Sequence, residues 1–102
     1  MTSGTWTISF KTPLGKNEFD LVATVDGSNL TGVINGKINK GVVISNGKVE
    51  GNTVSFQAPL ATPLGEMGTR FQFESNGEAL TGTMATMRGT FKATGMRGIP
   101  WA

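Results

Sequence analysis

The chain has 102 residues, a formal net charge of +2 and 15 glycines. It contains no cysteine, histidine or tyrosine, which excludes disulfides, thiolate metal sites, cysteine nucleophiles and a Ser-His-Asp triad, and removes the usual zinc ligands and near-neutral general base. So small a basic excess argues against a dedicated nucleic-acid binder, and no apolar run approaches the roughly 20 residues of a helical membrane span.

Thr, Val, Ile and Phe fill the segments between the glycines, which suits strands. Thr5–Lys11 is the first predicted strand, with Trp6, Ile8 and Phe10 on one face and Thr5, Thr7 and Ser9 on the other. Thr12-Pro13-Leu14-Gly15 reads as a turn, since Pro fixes φ and Gly allows positive φ. Glu18–Val25 follows, with Phe19, Leu21, Ala23 and Val25 opposite Glu18, Asp20, Val22 and Thr24. Asp26-Gly27 turns the chain into Leu30–Asn35, and Gly41–Val49 is the fourth strand. Asn46-Gly47 is either a tight hairpin or a bulge within that strand; the bulge is preferred, because Glu50-Gly51-Asn52 then supplies the next turn. Thr53–Leu60 carries Val54, Phe56, Ala58 and Leu60 on one face. A second Thr-Pro-Leu-Gly, residues 62–65, leads to Met67–Glu74, where Met67, Thr69, Phe71 and Phe73 oppose Arg70, Gln72 and Glu74. Asn76-Gly77, Leu80–Ala85 and Gly89–Arg97 complete the chain, and no segment keeps helical apolar spacing over three turns.

The chain also matches itself at an offset of about 50 positions. Thr12-Pro13-Leu14-Gly15 falls on Thr62-Pro63-Leu64-Gly65, Gly27 on Gly77, and Leu30-Thr31-Gly32 on Leu80-Thr81-Gly82. After a two-residue deletion, Lys40-Gly41 falls on Arg88-Gly89 and Gly47 on Gly95. Two repeats, about 4–49 and 53–97, are therefore expected within a single domain spanning 1–102. Short turns between eight strands give an up-and-down meander, and closure removes its two edges. The expected fold is all-β: an eight-stranded antiparallel up-and-down barrel built from two four-stranded repeats. A two-sheet sandwich is the alternative.

The apolar rows face the axis of such a barrel. An eight-stranded barrel is either filled by side chains or holds one small ligand. Ala23, Ala58, Ala93, Gly32 and Gly82 favour space, because they are small. On that reading the ligand-binding candidates are Trp6, Ile8, Phe10, Phe19, Leu21, Phe56, Ala58, Leu60, Met67, Thr69, Phe71 and Met84, with Leu14 and Leu64 as paired lips over the mouth. Leu30, Ile34, Leu80, Phe91 and Ala93 join the inward rows.

Gly4-Thr5-Trp6 resembles the Gly-x-Trp signature of lipocalin- and avidin-like (calycin-type) barrels, and Asp26-Gly27-Ser28-Asn29-Leu30-Thr31-Gly32 extends the likeness. The resemblance implies a barrel holding a small apolar molecule, with Trp6 closing one end. Biotin is not expected: Ile8 and Phe10 stand at the early inward positions, tyrosine is absent, and the only other tryptophan is Trp101.

The end holding the Thr-Pro-Leu-Gly turns collects Lys11, Lys16, Lys37, Lys40, Arg70 and Arg88 against Glu18 and Glu66; the other collects Asp26, Glu50 and Glu78 against Lys48 and Arg97. A basic mouth suits an anionic ligand with an apolar body. Binding of a small, mostly apolar or amphipathic molecule in the lumen is the first functional expectation. The alternative is a cofactor-free isomerase, lyase or cyclase, with Glu66 or Glu18 as acid or base and Arg88 or Arg70 stabilising an oxyanion. A third reading is a structural or oligomerising domain, with Trp101 plugging the barrel or packing on a second subunit. No metal cluster or phosphate-binding glycine motif is present, so no cofactor is expected, and neither nucleic acid nor membrane is an expected partner. Met1-Thr2-Ser3-Gly4 lacks a basic and apolar signal region, so the cytoplasm is the expected compartment.

Overall fold

The computed structural model describes residues 3–13, 15–36, 39–62 and 65–98. Nine strand segments follow one another: β1 (Gly4–Thr12), β2 (Gly15–Asp26), β3 (Asn29–Gly36), β4 (Lys40–Val43), β5 (Ser45–Glu50), β6 (Thr53–Thr62), β7 (Gly65–Asn76), β8 (Ala79–Thr86) and β9 (Gly89–Arg97). β4 and β5 are two parts of one barrel stave, interrupted only at Ile44, whose side chain is buried. Every stave is antiparallel to its chain neighbours. β1 also pairs with β9, from Trp6↔Arg97 to Phe10↔Ala93, and this closes the sheet. The result is an eight-stranded up-and-down barrel, and the sandwich alternative falls because one continuous sheet returns to its own first strand.

The alternation dictates what fills it. Trp6, Ile8, Leu21, Ile34, Phe56, Leu60, Phe71, Phe73, Leu80 and Met84 are almost fully buried in one core. The outward positions of the same strands carry Lys11, Glu18, Asp20, Thr24, Arg70, Gln72 and Glu74, all exposed. Phe71 stands at the centre of the aromatic packing. It stacks on Phe56 at 4.9 Å and on Phe73 at 5.8 Å, and takes the edges of Phe10 and Phe19 at 6.5 and 5.6 Å. Trp6 has no exposure at all, so no water-sized space adjoins it.

The fourth stave is irregular in two places. Pairing with β3 shifts between Ile34↔Val42 and Asn35↔Lys40, where Gly41 has φ +67°. Pairing with β6 shifts between Ser45↔Gln57 and Lys48↔Ser55, where Asn46 has φ +51°. Asn46-Gly47 is thus a bulge and not a hairpin; each site inserts one extra residue and bends the strand. Bent in this way, the stave pairs with β6 no further toward the mouth than Ser45↔Gln57. Beyond that point β6 runs as an edge. Pro59 stands there, where a missing N–H costs nothing. At Ala61 the Asn39 side chain takes the place of a strand: its Nδ2 donates to Ala61 O at 2.9 Å, and Ala61 N donates to its Oδ1 at 2.8 Å.

Candidate functional site

Four connections meet at one end of the barrel: 12–15, 36–40, 62–65 and 86–89. Three have the form Thr-x-x-Gly and close on a Thr↔Gly pair. Thr12 Oγ1 donates to Gly15 O at 3.1 Å, and Thr86 Oγ1 to Gly89 O at 2.9 Å. The glycines have φ of +128°, +104° and +128°, which side chains disfavour. Thr86-Met87-Arg88-Gly89 is a two-residue turn, and Thr12↔Gly15 and Thr62↔Gly65 close the other two connections by the same pairing.

The fourth connection differs, and open space lies beside it. A cavity of about 820 Å³ is lined by Phe10, Lys16, Asn17, Glu18, Phe19, Asp20, Asn35, Gly36, Asn39, Lys40 and Ala61. Phe10 and Phe19, each only 3% exposed, border its floor, their rings 6.3 Å apart and inclined at 53°. Phe19 lies opposite Gly36, where a Cβ would come within 3.0 Å of the Phe19 Cβ; glycine there lets the ring and strand sit close. Asn17 is on the inward row of β2, opposite Phe10. Its Nδ2 is buried and has no hydrogen-bond partner among the described residues. Such an orphaned donor costs about 1–3 kcal/mol. The outer lip carries Lys16 and Lys40 against Glu18 and Asp20, all four exposed. Both carboxylates are engaged: Ser9 Oγ donates to Glu18 Oε2 at 3.2 Å and Thr7 Oγ1 to Asp20 Oδ1 at 3.0 Å.

The sequence candidates divide sharply. Phe10 and Phe19 border the cavity. Trp6, Ile8, Leu21, Phe56, Leu60, Phe71 and Met84 pack on one another inside the barrel, and Met67 is buried as well. Ala58 and Thr69 adjoin a shallower hollow of about 510 Å³, otherwise lined by Ser45, Gln57, Pro59, Gly68, Arg70, Ala85, Thr86 and Met87. Thr69 Oγ1 is already committed to Ala58 O at 2.7 Å. Leu14, Leu64 and Trp101 lie outside the described residues, as does Lys37. Glu18, Glu66, Arg70 and Arg88 are exposed. Glu18 and Arg70 alternate with the buried Phe19 and Phe71, and Glu66 with the buried Met67, so these three project from the outer wall and not toward the axis. Among the described residues no cluster of three His, Cys, Asp or Glu side chains could hold a metal ion.

Asn17, Gly36 and Asn39 were not singled out from the sequence. A signal for Asn17 existed. Counting back from each Thr-x-x-Gly turn, Phe10↔Asn17 occupies the step that Leu60↔Met67 occupies on the other hairpin, so an amide stands where an apolar chain also fits.

Fold and site together define a closed antiparallel barrel with a filled axis and an open, aromatic-floored mouth. Compared with known proteins, the chain matches no family model, no curated protein and no solved structure.

Proposed function

We propose that this chain is a binding module for a small amphipathic molecule, held at the barrel mouth and not along the axis. The mouth cavity carries the reading: about 820 Å³ of space over the Phe10–Phe19 floor, with polar groups confined to its sides and lip. Ligand pockets run to about 300–1,000 Å³ and combine an apolar lining with a few placed polar groups. The likeness of Gly4-Thr5-Trp6 to lipocalin- and avidin-like barrels fits a ligand-holding barrel. Catalysis has less behind it, because Glu66 does not line the mouth cavity and Glu18, on its outer lip, already accepts from Ser9 Oγ. Nucleic acid and membrane fall outside the proposal: the formal charge is only +2, and the outward rows carry Thr, Ser, Glu, Asp and Lys.

The test is an amide NMR titration with 2-phenylethanol. An aromatic body that buries about 100 Å² gains about 2.5 kcal/mol, so affinity on the order of ten millimolar is expected for so small a probe. Saturable shifts should centre on Phe10, Asn17, Phe19, Gly36 and Asn39 and spare Trp6 and Leu80. Shifts centred on Trp6, Leu21 and Phe73 would place binding on the axis instead. No saturable shift anywhere would remove the binding reading.

A further inference from the structure

Buried polar side chains in this barrel are otherwise paired. Asn39 uses both ends of its amide on Ala61, Thr69 donates to Ala58 O and Thr12 to Gly15 O. Asn17 Nδ2 is the exception among the described residues. The fold does not demand an amide there, because Met67 fills the same step of the other hairpin against Leu60. Native proteins leave few buried polar groups unmade, and an exception calls for a reason. Asn17 lines the cavity opposite Phe10, with Nδ2 itself covered, so a turn of the side chain is what brings the donor to the open space. A donor in that place completes its hydrogen bonding with an acceptor on a ligand.

Charge narrows the class of ligand. The lip is balanced, with Lys16 and Lys40 against Glu18 and Asp20, so its field alone selects no sign. The balance is uneven in availability, however. Ser9 and Thr7 hydroxyls already donate to the two carboxylates. Among the described residues neither ammonium forms an ion pair; the single salt bridge is Lys48–Glu50. A donor at the floor and two uncommitted cations at the lip suit an oxygen acceptor bearing negative charge. Resting on the proposal that the mouth binds a small amphipathic molecule, we infer that its ligand is a small monocarboxylate with a flat apolar body: the body lies on Phe10 and Phe19, and a carboxylate oxygen accepts from Asn17 Nδ2.

Four probes of one shape separate the claims: phenylacetate, phenylacetamide, phenethylamine and 2-phenylethanol, each titrated into the uniformly ¹⁵N-labelled chain. Phenylacetate should shift the Asn17 side-chain NH₂ signals and bind at least about ten-fold tighter than phenethylamine, with phenylacetamide between them. Asn17→Met should lower that ratio at least about three-fold, leaving what Lys16 and Lys40 supply, and raise the melting temperature, as removal of an orphaned donor predicts. Asn17→Asp should reverse the order in favour of phenethylamine. Equal affinities across the probes, or a ratio that Asn17→Met leaves unchanged, overturn the carboxylate assignment while leaving mouth binding intact. Absence of binding by all four overturns both.

Discussion

Asn39 is where the barrel's incomplete seam meets a single side chain, so its removal has a calculable consequence. The residue is only 8% exposed, and its amide makes two hydrogen bonds to the Ala61 backbone, at 2.9 and 2.8 Å. Each such bond contributes about 1 kcal/mol net, so Asn39→Ala should lose about 2 kcal/mol. For a domain of this size that lowers Tm by roughly 10 °C. Asn39→Asp is the more demanding test. Its carboxylate can still accept from Ala61 N–H, but the atom that donated to Ala61 O becomes an oxygen facing an oxygen. Protonation restores a donor, so the folded chain holds this proton more tightly than the unfolded chain, where an Asp titrates near about 3.9. The folded state then binds more protons than the unfolded state between the two pKa values, and stability falls as pH rises through the folded one. Relative to the parent at each pH, Asn39→Asp should be near neutral at pH about 3.5 and lose up to about 2 kcal/mol by pH about 7. Urea denaturation at both pH values, with hydrogen exchange at the Ala61 amide, reads both effects. An Asn39→Ala variant within about 0.5 kcal/mol of the parent, with Ala61 exchange unchanged, would refute the strand-substitute role. So would an Asn39→Asp variant that gains stability as pH rises.

Four further outcomes test the wall. A Cβ at Gly82 would overlap Gln72 O and lie 2.8 Å from the Phe73 Cα, so Gly82→Ala should cost at least about 1–3 kcal/mol in a denaturant melt. At Gly68 nothing lies within 4 Å, so Gly68→Ala should be neutral or stabilise by up to about 1 kcal/mol. At the bulge, Asn46 holds φ +51° and its Nδ2 donates to Gln57 Oε1 at 3.2 Å; Asn46→Ala should cost about 1–2 kcal/mol and Asn46→Gly clearly less, with equal losses speaking against a backbone origin. Lys11 and Lys16 face each other directly across β1 and β2, so Lys11→Glu should stabilise by about 0.2–1 kcal/mol at low salt. At about 1 M salt that gain should vanish, because the charges are exposed; a salt-independent gain would point to packing.

The strands were legible because each has one buried face. The rows Trp6-Ile8-Phe10, Phe19-Leu21-Ala23 and Val54-Phe56-Ala58-Leu60 all turn inward, as their alternation requires. The bulge at Asn46-Gly47 was legible because the turn at 50–52 left no role for another one. Closure was less so, since it rests on pairing the first strand with the last, a contact no local pattern encodes. The axis was open to two readings, filled or hollow, and the small wall residues that favour space have another role. Gly32 and Gly82 look like space left for a ligand. In the structure a Cβ at Gly32 would meet Val22 O at 2.6 Å, and one at Gly82 would meet Gln72 O, so these glycines admit the neighbouring strand's backbone. The sequence pattern starts the second strand at Glu18, which leaves Asn17 outside it. The paired strand starts at Gly15, which puts Asn17 on the inward row.

What distinguishes the cavity side of the mouth is divergence between two hairpins that share their turn and register. From Thr12↔Gly15 and Thr62↔Gly65 the pairs run in step, yet the inward residues are Phe10, Asn17 and Phe19 on one and Leu60, Met67 and Thr69 on the other. The bulged stave, with Gly41 and Asn46 at positive φ, lies between β3 and β6, whereas β8 and β9, between β7 and β1, pair without a shift from Ala79↔Met96 to Thr86↔Gly89. The second set is self-sufficient: Leu60 and Met67 are buried, and Thr69 bonds its own neighbour's carbonyl. The first set leaves a donor unpaired and two rings beside open space. Folding alone accounts for the second arrangement. Among the described residues the first lowers stability without a compensating contact, and the proposed ligand is what would supply one.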